Sequence, residues 1–136
     1  MAQKRRPDMN WRGGHLSLPK PLMEHPDFRE ASPSAMKVLM ALGNQYNGKN
    51  NGNLSATEKT MKEWGGMAPA TLTKALKELQ ERNLIIKTRT NWKGRVGARC
   101  ALYALTWFRI DPCPGKDLEV KDTDVAPRKL PKAGGG

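Results

Sequence analysis

Apolar residues follow one period up to Leu79 and another from Leu84 onward, and that switch constrains the fold more tightly than any other feature of the chain. Leu72, Ala75, Leu76 and Leu79 recur at i, i+3, i+4 and i+7, the spacing of a single helical face. Pro69 suits the first position of such a helix, where its missing N–H costs nothing, and Asn83 tolerates the left-handed conformation that stops one. Residues 84–90 are then β-branched and strand-like. Residues 91–98, with Gly94 and Gly97, read as a long turn, and residues 99–107 as the return strand with Tyr103, Leu105 and Trp107 on one side. A helix that runs directly into a hairpin marks an α+β chain.

Two further helices are predicted upstream. Ser55 and Glu58 have the S-x-x-E spacing of a capping box, with Thr57, Met61 and Trp64 inward and Gly65-Gly66 as the stop. Leu54, just before it, suits a very short strand that pairs with the hairpin. Ser32 and Pro33 open a longer helix, on which Ala35, Leu39, Leu42 and Tyr46 share a face. Met36, Val38 and Met40 lie elsewhere around that cylinder, so it needs cover on more than one side, from the Leu22–Phe28 segment or from a second subunit. Asn47 to Gly52 is turn chemistry. Residues 15–18 alternate like a short edge strand, and Pro19 and Pro21 precede a short helical turn anchored by Leu22 and Phe28. Residues 1–14 read as a flexible basic arm, residues 15–107 as one folded domain, and residues 108–136 as a proline-containing charged tail without its own core. The order helix, turn, helix, hairpin is the outline of a winged helix-turn-helix, with three main helices and a two- or three-stranded basic wing.

Charge is unevenly distributed. The formal net charge is +11, and residues 84–107 hold Lys87, Arg89, Lys93, Arg95 and Arg99 with no Asp or Glu among them. A second cluster, Lys4, Arg5, Arg6 and Arg12, lies in the N-terminal arm. Clustering of this kind points to an anionic partner such as a phosphate backbone.

On the second helix of the pair, Ala70, Thr71, Thr73, Lys74 and Lys77 face outward. Threonine can exchange hydrogen bonds with base edges and pack its methyl group on thymine, and lysine can reach guanine or neutralise phosphate. The alternative is a solvated helix face, because Lys74 with Glu78 and Lys77 with Glu81 stand at i, i+4. Arg95, bracketed by glycines, suits close approach to a backbone or minor groove. Trp92 either stacks on a sugar or base or folds back over Ile86 or Tyr103. The arm is either a groove-tracking element or a merely solubilising terminus.

Other chemistry is missing. His15 and His25 have no acidic partner at motif spacing, and Cys100 and Cys113 form neither a C-x-x-C unit nor half of a zinc site. There is no phosphate-binding loop fingerprint, so no enzymatic role, cofactor or metal is expected. No secretory signal or membrane span is visible, and a cytoplasmic protein with no membrane partner is expected.

The run from Leu18 to Trp107 resembles small winged helix-turn-helix DNA-binding proteins of bacterial phages, plasmids and integrated mobile elements. The residues that carry the resemblance are Leu18-Pro19 with Phe28, Ser32-Pro33-Ser34-Ala35, Tyr46-Asn47-Gly48 with Asn50-Asn51-Gly52, Thr71-Leu72 with Ala75-Leu76 and Leu79, Leu84-Ile85, and Leu102 to Trp107. It implies a double-stranded DNA-binding transcriptional regulator of the autorepressor type, with Thr71, Thr73, Lys74 and Lys77 as groove readers and the wing on phosphates. Alternatives are a replication accessory or initiator-type DNA binder, a binder of structured RNA, and a protein-interaction module that docks on or inhibits a partner through helix 33–46 or the tail. A homodimer on a palindromic site is a further option, although no coiled-coil heptad is present.

Overall fold

The computed structural model describes residues 7–133 except Val96. Among them are five α-helices and four short strands: α1 (Lys20–Met23), α2 (Pro26–Arg29), α3 (Pro33–Gln45), α4 (Glu58–Lys62), α5 (Pro69–Glu81), β1 (Ile85–Arg89), β2 (Trp92–Gly94), β3 (Gly97–Arg99) and β4 (Leu102–Leu105). The protein is thus mixed α+β, with small antiparallel sheets. No helix among the described residues is long and apolar enough to cross a membrane.

Helix α3 is the central element. Ser32 Oγ accepts the Ala35 N–H at 3.1 Å, the N-cap expected from the sequence. Val38, Leu39, Ala41 and Leu42 are buried, and the core around them includes Leu22, Met61, Leu72, Leu79, Leu84 and Leu105. Tyr46, at its end, stacks on Phe108 with ring centroids 4.5 Å apart. The apolar residues of helix 33–46 are therefore largely covered by the chain itself, with Met36 and Met40 half-buried. Leu16 and Leu18 pack against the same core but form no edge strand; residues 15–18 instead offer the Ser17 carbonyl to Trp107 Nε1 at 3.0 Å.

Helix α4 starts two residues later than the capping box predicts. The Ser55 N–H donates to Gln45 Oε1 and its carbonyl accepts from Gln45 Nε2, which holds Ser55 outside the helix. Thr57 becomes the N-cap, accepting from the Thr60 N–H at 3.2 Å. Helix α5 spans the predicted residues. Asn83 ends it at φ 56°, and the Leu84 N–H returns to the Leu79 carbonyl.

β1 pairs antiparallel with β4, with Ile85 opposite Leu105 and Lys87 opposite Tyr103, and Leu54 bridges to Tyr103 as a one-residue third strand. The register slips at Thr88, whose side chain is buried and donates to the Gly52 carbonyl at 2.6 Å. The long turn expected at 91–98 is instead a second ladder, β2 with β3, where Trp92 faces Arg99.

The described segment after Phe108 has no helix or strand of its own, yet it is bound along the domain. Asp111, buried, accepts the Asn51 N–H at 2.9 Å and donates its own N–H to the Asn51 carbonyl. Fully buried Asn51 also accepts the Leu105 N–H and donates to the carbonyls of Leu105 and Arg109. Arg128 donates to Asp27 at 2.7 Å and to the carbonyls of Arg82 and Asn83 at the end of α5. What reads as a charged tail joins α2, α5 and the sheet.

Candidate nucleic-acid interface

The predicted readers on α5 divide between two flanks. Thr73 and Lys77 stand with Gln80 over an open groove of about 490 Å³ between α5 and the sheet, where Lys87 and Asn91 line the opposite side. Thr71 and Lys74 lie on the other flank, beside Ser32, Ser34 and Glu78 at the start of α3. Thr71 is half-buried, whereas Thr73, Lys74 and Lys77 are exposed. The two threonines therefore do not address the same point in space. Thr73 Oγ1 donates to the Pro69 carbonyl at 3.0 Å, so its proton is used within the helix and its lone pairs face solvent.

Glu78 is not the i, i+4 partner of Lys74. Its carboxylate accepts from the Ser32 N–H at 2.8 Å, the Ser32 hydroxyl at 2.7 Å and Arg82 Nε at 3.0 Å. Partial burial opposes ionisation, but the Ser32 and Arg82 hydrogen bonds outweigh it and hold this carboxyl below its ordinary range. The acid is thereby bonded to Ser32 and Arg82 although it lines the same flank as Lys74, and Lys74 and Lys77 are left without a carboxylate partner among the described residues. The start of α5 also differs from those of α2, α3 and α4: Ala68 supplies no side-chain cap, so the first amides are not spoken for by a side chain.

In the hairpin, the five cations fall into two groups. Lys87, Lys93 and Arg95 have no ion-pair partner among the described residues. Lys93 and Arg95 are exposed, while Lys87 is partly buried at the groove wall. Arg89 is engaged: its guanidinium donates to the Cys100 carbonyl at 2.7 Å and to the Lys116 carbonyl at 3.1 Å. Arg99 pairs with Asp117 at 3.2 Å. Beside them, Glu119 accepts the N–H and hydroxyl of Thr90, which with the charges of Arg99 and Arg89 hold its carboxyl low. The stretch 84–107 has no acid within it, but Asp117 and Glu119 reach it from the following segment. Arg89 and Arg99, expected with the other three to position the wing on phosphates or in a minor groove, thus have partners within the chain in this structure.

Trp92 does not fold back over Ile86 or Tyr103. Its indole lies across Gly94, where an added Cβ would come within 2.5 Å of the ring, and it remains 47 % exposed. Arg12 is exposed in a turn closed by the Gly14 N–H on the Trp11 carbonyl. Lys4, Arg5 and Arg6 lie outside the described residues.

Gln80 and Asn91 were not singled out by the sequence, although Thr73, Lys77 and Gln80 stand at i, i+4 and i+7, which places them on one flank. Among the described residues no group of three His, Cys, Asp or Glu is placed to hold a metal ion. Comparison with protein-family models, curated proteins and solved structures gives no match.

Proposed function

We propose that the chain is a winged helix-turn-helix protein that binds double-stranded DNA, with α4, the turn 63–68 and α5 as the helix-turn-helix and β2–β3 as the wing. The observation that carries this reading is the sorting of charge. Lys74, Lys77, Lys87, Lys93 and Arg95 have no carboxylate partner among the described residues, whereas the neighbouring acids Glu78, Asp117 and Glu119 are each engaged by the fold and Glu81, exposed near the end of α5, is the exception. A solvated surface gains nothing from such sorting, while a polyanion does.

In this reading α5 enters the major groove by its first two turns. Thr73, with its proton committed to Pro69, serves as an acceptor for an adenine or cytosine amino group, and its methyl group suits thymine. Lys77 and Lys87 flank the strand that passes between α5 and the hairpin, and Lys93 and Arg95 reach the adjacent backbone or minor groove. The uncapped start of α5 suits a phosphate. The resemblance in sequence makes a regulator of a mobile element's own transcription the specific form of this proposal.

The test is fluorescence anisotropy of the full chain on duplex from its own upstream region, beside scrambled duplex and a matched RNA, over a salt series. Tight, steeply salt-dependent binding that favours the upstream duplex is expected. Equal, weak binding to all three would reduce DNA to a background affinity of a basic surface.

A further inference from the structure

The segment after β4 brings two carboxylates to the root of the hairpin by a defined path. Gly115 and Asp117 both adopt left-handed backbone, at φ 80° and 55°, and the Lys116 N–H closes the turn on the Cys113 carbonyl. The chain is then pinned by the Glu119 N–H, which donates to the Thr88 carbonyl at 2.7 Å. That carbonyl lies where the β1–β4 register slips. Held there, Asp117 meets Arg99 and Glu119 meets Thr90, while the Lys116 carbonyl takes one arm of Arg89.

These interactions differ from the other ion pairs and acid hydrogen bonds of this segment. Asp111 is 2 % exposed and fixed by backbone bonds to Asn51, and Arg128, which binds Asp27, is 9 % exposed in its side chain. The Asp117 side chain is 77 % exposed and that of Arg99 is 38 %. Exposed pairs of this kind exchange readily with water and ions and contribute little to stability. Their position, on two cations of a strongly basic hairpin, is what distinguishes them.

We propose that residues 115–119 are an autoinhibitory acidic strap, in which Asp117 and Glu119 occupy the place beside Arg99 and Arg89 that the phosphates of a nucleic acid would take. The identity of the polyanion rests on the DNA reading above; the pairing of Arg99 with Asp117 and the hold of the Lys116 carbonyl on one arm of Arg89 do not. Binding at the hairpin root displaces the strap, and of the five hairpin cations Lys87, Lys93 and Arg95 are available without that displacement. The strap lowers affinity for any duplex, and so leaves discrimination to the side chains of α5.

The test compares full-length D117N/E119Q with D122N/D124N, which removes two exposed acids of the same segment that bind no hairpin residue. Both are run on duplex DNA over a salt series and on heparin, with thermal melting as the check on folding. D117N/E119Q is expected to bind duplex about three- to tenfold more tightly than D122N/D124N, with a salt slope steeper by about 0.9 for each additional phosphate neutralised. It should also leave heparin at higher salt. R99Q should change little in the wild-type background and more in D117N/E119Q. Equally tightened binding in the two double variants would reduce the effect to net charge and overturn the strap, as would a weaker D117N/E119Q that melts like the wild type. If heparin separates the variants while no protein binds duplex, the strap stands and the DNA reading falls.

Discussion

The Glu78 carboxylate on α5 clasps the N-terminus of α3 by taking both the N–H and the hydroxyl of Ser32, at 2.8 and 2.7 Å. Ser32 in turn accepts the Ala35 N–H, so a helix cap and an interhelical tie are made by one side chain pair. This fixes α5 against the central helix of the fold, and it ties the carboxylate to Ser32 and Arg82 on the flank that also carries Lys74.

Glu78→Ala should lower stability by about 1–3 kcal/mol, the cost of leaving polar partners unpaired where water reaches only partly. The carboxyl is held below its ordinary range, so its contribution is present above its unfolded value, near ~4.3, and is lost as pH falls through the lower folded value. Urea unfolding between about pH 6 and pH 3 should therefore show a smaller acid-side loss in Glu78→Gln than in the wild type. An identical pH dependence would remove this carboxylate from the account.

Asn51→Ala should cost about 2–4 kcal/mol, because the Leu105 N–H and the Arg109 carbonyl lose their partner in a site without solvent. Asn51→Asp should be at least as severe, since a carboxylate cannot donate to the carbonyls of Leu105, Phe108 and Arg109. Thermal melts of both variants check this; a wild-type melting temperature in either would contradict it.

Arg128→Ala, or truncation before it, should destabilise the domain by about 1.5–3 kcal/mol. Arg128 satisfies two carbonyls at the end of α5 and binds Asp27, all with its side chain largely buried. A truncated protein as stable as the full chain would show the segment to be dispensable.

On DNA, Lys93→Ala with Arg95→Ala should weaken binding to all sequences alike and flatten the salt dependence by about 0.9 per phosphate no longer neutralised. Thr73→Val should behave differently. It keeps a methyl group and removes the hydroxyl oxygen that would accept from a base, so loss is expected chiefly on the preferred duplex. Equal losses on preferred and scrambled duplex would argue against base reading by this residue.

Local signals made much of the fold legible. Ser32-Pro33, the Leu72 to Leu79 face and Asn83 each act over a few residues, and each appears where its chemistry requires. Ser55 shows the limit of such signals: its spacing to Glu58 is correct for a capping box, but Gln45 takes its backbone groups first. The segment after Phe108 was opaque for a related reason. Arg128 meets Asp27 across most of the chain and Glu119 meets Thr88 at a register slip, and neither partner is marked by periodicity. The outward residues of α5 were readable from helical spacing, whereas the loss of Arg89 and Arg99 to internal partners was not, because Lys116 and Asp117 lie beyond the hairpin in sequence.

Side chains along a strand alternate between two faces, so the single extra residue at Thr88 shifts its own strand by one place against β4, whose alternation continues unbroken. The distal ladder, with Trp92 and Arg99 paired across it, keeps the register offset that begins there. The register of the outer hairpin is decided at a threonine buried away from the exposed ladder it governs.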